Sequence, residues 1–122
     1  MAIHKILIVD DSPTERYYLT DILVRNGFSV TTAVNGEEAL AKIRAERPEL
    51  ILMDVVMPGA NGFQVTRAIS RDPELSSVPV IICSSKNQET DRIWGMRQGA
   101  RDYLVKPVDP QLLLASIATI DA

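Results

Sequence analysis

A single cysteine, a single histidine and a single tryptophan occur among 122 residues, and aromatic side chains make up only 5% of the chain. Cys83 alone can form no disulfide within the chain and joins no cysteine-based metal motif, so nothing calls for an oxidising compartment. His4 has neither a second histidine nor a cysteine cluster beside it, which removes it as a metal ligand. Apolar runs are short, and none nears the roughly 20 residues of a membrane-spanning helix. Ile3 to Val9 is a strand-like run broken by His4 and Lys5 rather than a signal peptide, so a cytoplasmic location without membrane insertion is expected. Positive charge is not in excess either: 13 Lys+Arg stand against 16 Asp+Glu, a net charge of -3, and no basic stripe offers itself to nucleic acid. The glycine-rich phosphate loops Gly-x-x-x-x-Gly-Lys and Gly-x-Gly-x-x-Gly are missing too, as are internal repeats and low-complexity segments. Protein partners are the expectation that survives.

What the chain has is an average globular composition, 46% hydrophobic and 24% charged, sufficient for one core and too short for two. One domain over residues 1–122, without an output domain, is expected. Strand and helix signals alternate throughout. Lys5 to Val9 reads as a first strand, and Ser12-Pro13-Thr14-Glu15 opens a helix with a capping-box pair (Ser12, Glu15) that ends at Asn26-Gly27. Phe28, Val30 and Thr32 alternate with more polar neighbours, which suits an edge strand. Asn35 caps a helix bearing Ala39, Leu40 and Ile43, and Leu50 to Met53 is a third strand. Val65 and Ile69 mark a short helix, Val78 to Cys83 a fourth strand, and Gln88 to Gln98 a helix stopped by Gly99. Tyr103 to Val105 and a helix from Asp109-Pro110 carrying Leu113, Leu114, Ile117 and Ile120 complete the chain.

This alternation predicts parallel crossovers and a doubly wound α/β sheet, (βα)5 and flavodoxin-like, in strand order 2-1-3-4-5. Charged residues end the apolar runs in a regular way: Asp10-Asp11 after Val9, Asp54 after Met53, Lys106-Pro107 after Val105. The switch point of such a sheet lies between strands one and three, where ligands bind, so these carboxylates should meet there. Grouped carboxylates repel one another unless a cation sits among them, and magnesium, which takes a few carboxylate oxygens and bridges to phosphate, fits. Each residue also has a plainer reading. Asp10 and Asp11 could simply cap turns, Ser84-Ser85 could cap a helix, and Lys106 could be a solvated loop residue. Tyr103 could be packing, and Trp94, which shares a helical face with Thr90, Asp91, Arg97 and Gln98, could either greet a partner or lie flat on a neighbouring helix. Cys83 reads as a small buried hydrophobe.

Asp10-Asp11, the run ending at Asp54 with Met57-Pro58-Gly59 after it, Ser84, and Tyr103 ahead of Lys106-Pro107 together resemble the receiver domain of two-component response regulators, with its CheY-like fold. Asp10-Asp11-Ser12-Pro13-Thr14-Glu15, Asn61-Gly62-Phe63-Gln64 and Gln98-Gly99-Ala100-Arg101-Asp102-Tyr103 are similar, more narrowly, to the stand-alone receivers that control type IV pilus twitching motility. The resemblance implies that Asp54 accepts a phosphoryl group from a histidine kinase. It implies magnesium held by Asp11, Asp54 and the backbone carbonyl of Val56, with Asp10 acting through water, while Lys106 and Ser84 contact phosphoryl oxygens. It further implies a cis Lys106-Pro107 bond and a switch in which Ser84 moves and Tyr103 turns inward. A downstream target would then read the face of the fourth helix, fifth strand and fifth helix, and the chain would act as a monomer. It would be no enzyme beyond its own phosphorylation and dephosphorylation, with Val56 and Lys86 flanking the path of the hydrolysing water. A shared-kinase phosphate sink is one alternative. A magnesium-dependent phosphohydrolase is another, disfavoured because Val56 stands where the general acid would be needed. A flavin-binding protein of the same fold would find its phosphate repelled by Asp10-Asp11.

Overall fold

The computed structural model describes residues 2–122. Its strands and helices alternate as β1 (Lys5–Val9), α1 (Pro13–Arg25), β2 (Ser29–Ala33), α2 (Gly36–Glu46), β3 (Leu50–Met53), α3 (Gly62–Arg71), β4 (Val80–Ser84), α4 (Glu89–Arg97), β5 (Asp102–Val105) and α5 (Pro110–Asp121). The sheet is parallel, in the order β2-β1-β3-β4-β5. Side chains alternate across a strand, so each strand feeds two layers. Leu7, Val9, Ile51, Met53 and Ile82 pack with Ala39, Ile43, Val65 and Ile69 of α2 and α3. Ile6, Ile8, Leu50, Leu52 and Cys83 pack with Leu19, Leu23, Leu113 and Ile117 of α1 and α5. Burial on both faces explains why β1, β3 and β4 read as unbroken apolar runs, whereas the edge strand β2 alternates and is exposed at Ser29 and Thr31.

Helix starts follow local chemistry. Asn35 Oδ1 accepts from the Glu38 amide at 2.8 Å, and Asp109 Oδ1 accepts from the Gln111 amide at 2.8 Å, each satisfying a donor with no partner inside its helix. At α1 the expected capping box is half formed. Ser12 Oγ accepts from the Glu15 amide at 3.3 Å, but one carboxylate oxygen of Glu15 is buried without a partner and does not reach back. The fourth strand begins at Val80, two residues later than Val78 suggested. Val78 donates to Leu75 in the preceding turn, and Pro79, lacking an N–H, joins the ladder only by accepting from the Ile51 amide at 3.0 Å. The fifth strand begins one residue earlier than expected, at Asp102.

The α4 helix departs most from the pattern. Gly95 is its only buried residue, and a Cβ there would lie 2.9 Å from Ile82 Cδ1 and 3.0 Å from the Tyr103 ring. Gly95 therefore lets the helix settle on the sheet while Ile93, Trp94 and Met96 face outward. Trp94 is 48% exposed. Gln98 does not share that outer face: it is buried, and its carbonyl accepts from Ser70 Oγ at 2.8 Å.

Candidate functional site

Three strand ends converge at one rim of the sheet. Asp10 is fixed by its amide, which donates to the Ala33 carbonyl at 3.0 Å, and Asp54 by its own, which donates to the Val9 carbonyl at 2.9 Å. The ladder that aligns β1 with β2 and β3 thus continues one residue past each strand and sets where the carboxylates stand. Carboxylate oxygens of Asp10, Asp11 and Asp54 all lie within 4.8 Å of one another, with Asp11 exposed and the other two buried. Exposure falls to 2% at Asp10 and 7% at Asp54, so both charges are largely stripped of water.

Lys106 answers them. Its amide donates to the Ser84 carbonyl at 2.9 Å, which extends the β4–β5 pairing and points the side chain into the rim. Its Nζ donates to Asp10 Oδ2 at 2.8 Å and to Asp54 Oδ1 at 3.1 Å, and its side chain is only 16% exposed. The Lys106–Pro107 bond is cis, as the resemblance implied. Burial first, then the neighbouring charge of Asp10, raises the Asp54 carboxyl above its ordinary value, against the opposing pull of Lys106. Burial alone would lower the Lys106 ammonium, but the hydrogen bond and charge of Asp10, followed by Asp54, overcome it and leave it raised. One ammonium against three carboxylates leaves excess negative charge, and the donors are all oxygen. Such a set suits a hard divalent cation rather than zinc or copper.

Ser84 and Tyr103 meet at one residue of the loop after β4. Ser84 Oγ, fully buried, accepts from the Lys86 amide at 3.1 Å, and the Tyr103 hydroxyl donates to the Lys86 carbonyl at 2.8 Å. Tyr103 is buried in the core, so the inward position expected after a switch is the one it already holds here. The side chains of Val56 and Lys86 are both exposed. Two surface hollows, of about 440 and 310 Å³, lie at the opposite ends of the strands, around Pro48, Pro79 and Lys5, and a third, of about 410 Å³, lies between Asn35–Glu37 and Pro58–Ala60; none is lined by Asp10, Asp11, Asp54 or Lys106.

Two residues of the rim were passed over in the sequence. Arg16 donates from Nη1 to the Asp10 carbonyl at 2.8 Å, bracing the turn that carries Asp10-Asp11. An arginine in the first turn behind an Asp-Asp pair is the signal that could have found it. Gly62 opens α3 against the backbone of Asp54, where a Cβ would lie 1.9 Å from the carbonyl oxygen. Nothing local in the sequence announces that contact.

A parallel (βα)5 sheet with an acid cluster and a lysine at its switch point defines a receiver. The chain belongs to the response regulator receiver domain family, whose description matches residues 6–118. Members of that family are phosphoacceptors in two-component signalling. The chain is 56% identical over 116 residues to Protein PilH of Pseudomonas aeruginosa, covering 95% of this chain and 96% of that one. It is 39% identical to the transcriptional regulatory protein AfsQ1 of Streptomyces coelicolor but spans only 50% of it. Among solved structures, the chemotaxis protein CheY4 of Vibrio cholerae is 33% identical with a TM-score of 0.89, covering 98% of this chain and 99% of that one. The receiver domain of a histidine kinase from Syntrophus aciditrophicus is 32% identical with a TM-score of 0.88, covering 96% and 89%. No described helix is long and apolar enough to cross a membrane.

Proposed function

We propose that this chain is a single-domain response regulator in which Asp54 accepts a phosphoryl group from a histidine kinase. The observation that carries this reading is the bridge from Lys106 Nζ to Asp10 and Asp54 with Asp11 alongside, because it sets a cation and a nucleophilic carboxylate on one spot. In the transfer, a carboxylate oxygen of Asp54 bonds to phosphorus, and the phosphorus–nitrogen bond of the donor phosphohistidine breaks. The bonding electrons stay on the imidazole nitrogen, and the product is an acyl phosphate on Asp54. Asp11, Asp54 and the Val56 carbonyl, with Asp10 through a water, would hold magnesium, which would neutralise charge on the transferring group. Lys106, already inside the rim, takes a phosphoryl oxygen as its partner, and the Ser84 hydroxyl donates to another.

The output follows from the shared anchor on Lys86. A phosphoryl group that engages the Ser84 hydroxyl acts on the same loop residue whose carbonyl holds Tyr103 inward, and Tyr103 packs beneath Gly95 of α4. A ligand shifts such an equilibrium only by its differential contacts, so the group favours the packing in which Ser84, Lys86 and Tyr103 are all engaged. A protein target would read the face made by α4, β5 and α5, where Ile93, Met96, Val105 and Leu112 are exposed. The closeness to PilH along nearly the whole chain supports a role in chemotaxis-like control of type IV pilus twitching motility, and the reading is completed by a cytoplasmic, monomeric chain. Acetyl phosphate or a phosphorylated histidine kinase, with magnesium, should label the chain once, and Asp54→Asn should abolish labelling. Labelling of Asp54→Asn at the rate of the parent chain would refute the assignment.

A further inference from the structure

We propose that Gly62 is a positioning residue for the phosphoacceptor, an inference that rests on the reading of Asp54 above. Gly62 is the first residue of α3, and its amide donates to the Val55 carbonyl at 2.8 Å. A Cβ on it would lie 1.9 Å from the Asp54 carbonyl oxygen, 2.8 Å from the Asp54 carbonyl carbon and 2.9 Å from Val55 Cα. All of these are backbone atoms, which cannot swing away as a side-chain tip can. Gly62 is not among the glycines with positive φ, so space rather than conformational freedom demands glycine here. The helix start is itself locked. Thr66 Oγ1, fully buried, donates to the Gly62 carbonyl at 2.7 Å, and Asn61 and Gln64 cap each other's amides at 3.0 and 2.9 Å.

Asp54 is therefore held on both sides of its α-carbon, by the Val9 carbonyl through its amide and by the bare α-carbon of Gly62 against the carbonyl of the peptide that follows it. A methyl group at position 62 must push α3 away or rotate that peptide. Rotation re-aims the carboxylate that meets Lys106 and moves the next carbonyls of the chain, Val55 and Val56. A displacement of about 1 Å at a reacting group can slow a reaction about 10²-fold. Gly36 provides a matched control, since a Cβ there would meet Val65 Cγ2 at 2.6 Å, with the nearest backbone atom at 3.9 Å. It crowds the same α3 helix without touching Asp54.

The test compares the parent chain, Asp54→Asn, Gly62→Ala, Gly36→Ala and Thr66→Val. Acetyl phosphate labelling with magnesium is measured per folded molecule. Backbone amide NMR shifts of Asp54 and Val55 are measured in metal-free protein. Gly62→Ala should slow labelling by about 10²-fold and move both amide shifts, while Gly36→Ala should lose stability yet keep the parent rate and shifts. A Gly62→Ala protein that labels at the parent rate, or a Gly36→Ala protein slowed as much, would overturn the proposal. If Gly62→Ala fails to fold, Thr66→Val decides: it removes only the bond to the Gly62 carbonyl, should slow labelling with its circular dichroism retained, and refutes the role if it labels at the parent rate. Absence of labelling in the parent chain would instead overturn the Asp54 reading, and the positioning role with it.

Discussion

Replacing Lys106 with methionine keeps the length and most of the volume of the side chain while removing the cation that touches both buried carboxylates. Breaking a buried ion pair from one side costs about 3–5 kcal/mol. Here the loss should fall near ~2–3 kcal/mol, because the exposed Asp11 side of the rim lets water in and because Asp54 can take up a proton. With a urea slope of about 1–3 kcal/mol/M, the midpoint in chelator near neutral pH should drop by roughly 0.7–3 M. The sign of its pH dependence is set by Asp54. Its carboxyl is already raised by burial and by Asp10, and loss of Lys106 raises it further. Between the unfolded and folded values the folded variant binds more protons than the unfolded chain, so its stability falls as pH rises through that window and recovers on acidification. Magnesium should restore stability, by about 2.7 kcal/mol at a hundredfold excess over its dissociation constant. The variant should also bind the metal more tightly than the parent chain, because no ammonium competes for the same oxygens. Urea titrations in chelator and in magnesium, at neutral and acid pH, measure all of this. A loss below about 1 kcal/mol, or one that ignores both pH and magnesium, would refute the electrostatic account of the rim.

Cys83 is buried and its thiol is pushed up to about 12 by that burial, so a thiol reagent should leave the native protein unlabelled in mild base and react once urea unfolds it. Asn35→Ala should lower stability by about 1 kcal/mol through loss of the α2 cap, read as a shifted thermal midpoint. The Asp72 carboxyl is held below its ordinary value by the Glu74 amide and by Arg44. Asp72→Asn should therefore be less stable than the parent above the ordinary carboxylate pKa, and the difference should vanish as pH falls through the depressed value, which paired urea titrations would reveal.

The sheet was legible because burial on both faces leaves short apolar runs whose length and flanking turn residues favour strands: Ile6 to Val9 and Leu50 to Met53 are unbroken, and each is followed by aspartate. The rim was legible for the same reason, since parallel strands must end together and the residues one step beyond them must meet. Val78 was misread because an apolar residue beside a strand looks like part of it, while its hydrogen bond to Leu75 is a property of the turn. The Ser12–Glu15 pair has the residues of a capping box, but which way the Glu15 carboxylate swings depends on what packs over it. Gly62 and Gly95 were the hardest to read, because a glycine's role here is the distance of another chain segment from a Cβ that does not exist, and that distance is fixed only once the fold is complete.

The two ties on Lys86 use its main chain alone, and its side chain projects into solvent. Structure and chemistry are thereby separated at one position: the path from Ser84 to Tyr103 runs through peptide atoms that every residue except proline supplies, while the group beyond Cβ is open to choice. Exchanging that group for an acid, an amide or a methyl would alter the surface this loop presents to solvent or to an approaching protein, with both hydrogen bonds behind it left intact. Proline alone, which has no N–H to offer Ser84, would lose one of the two.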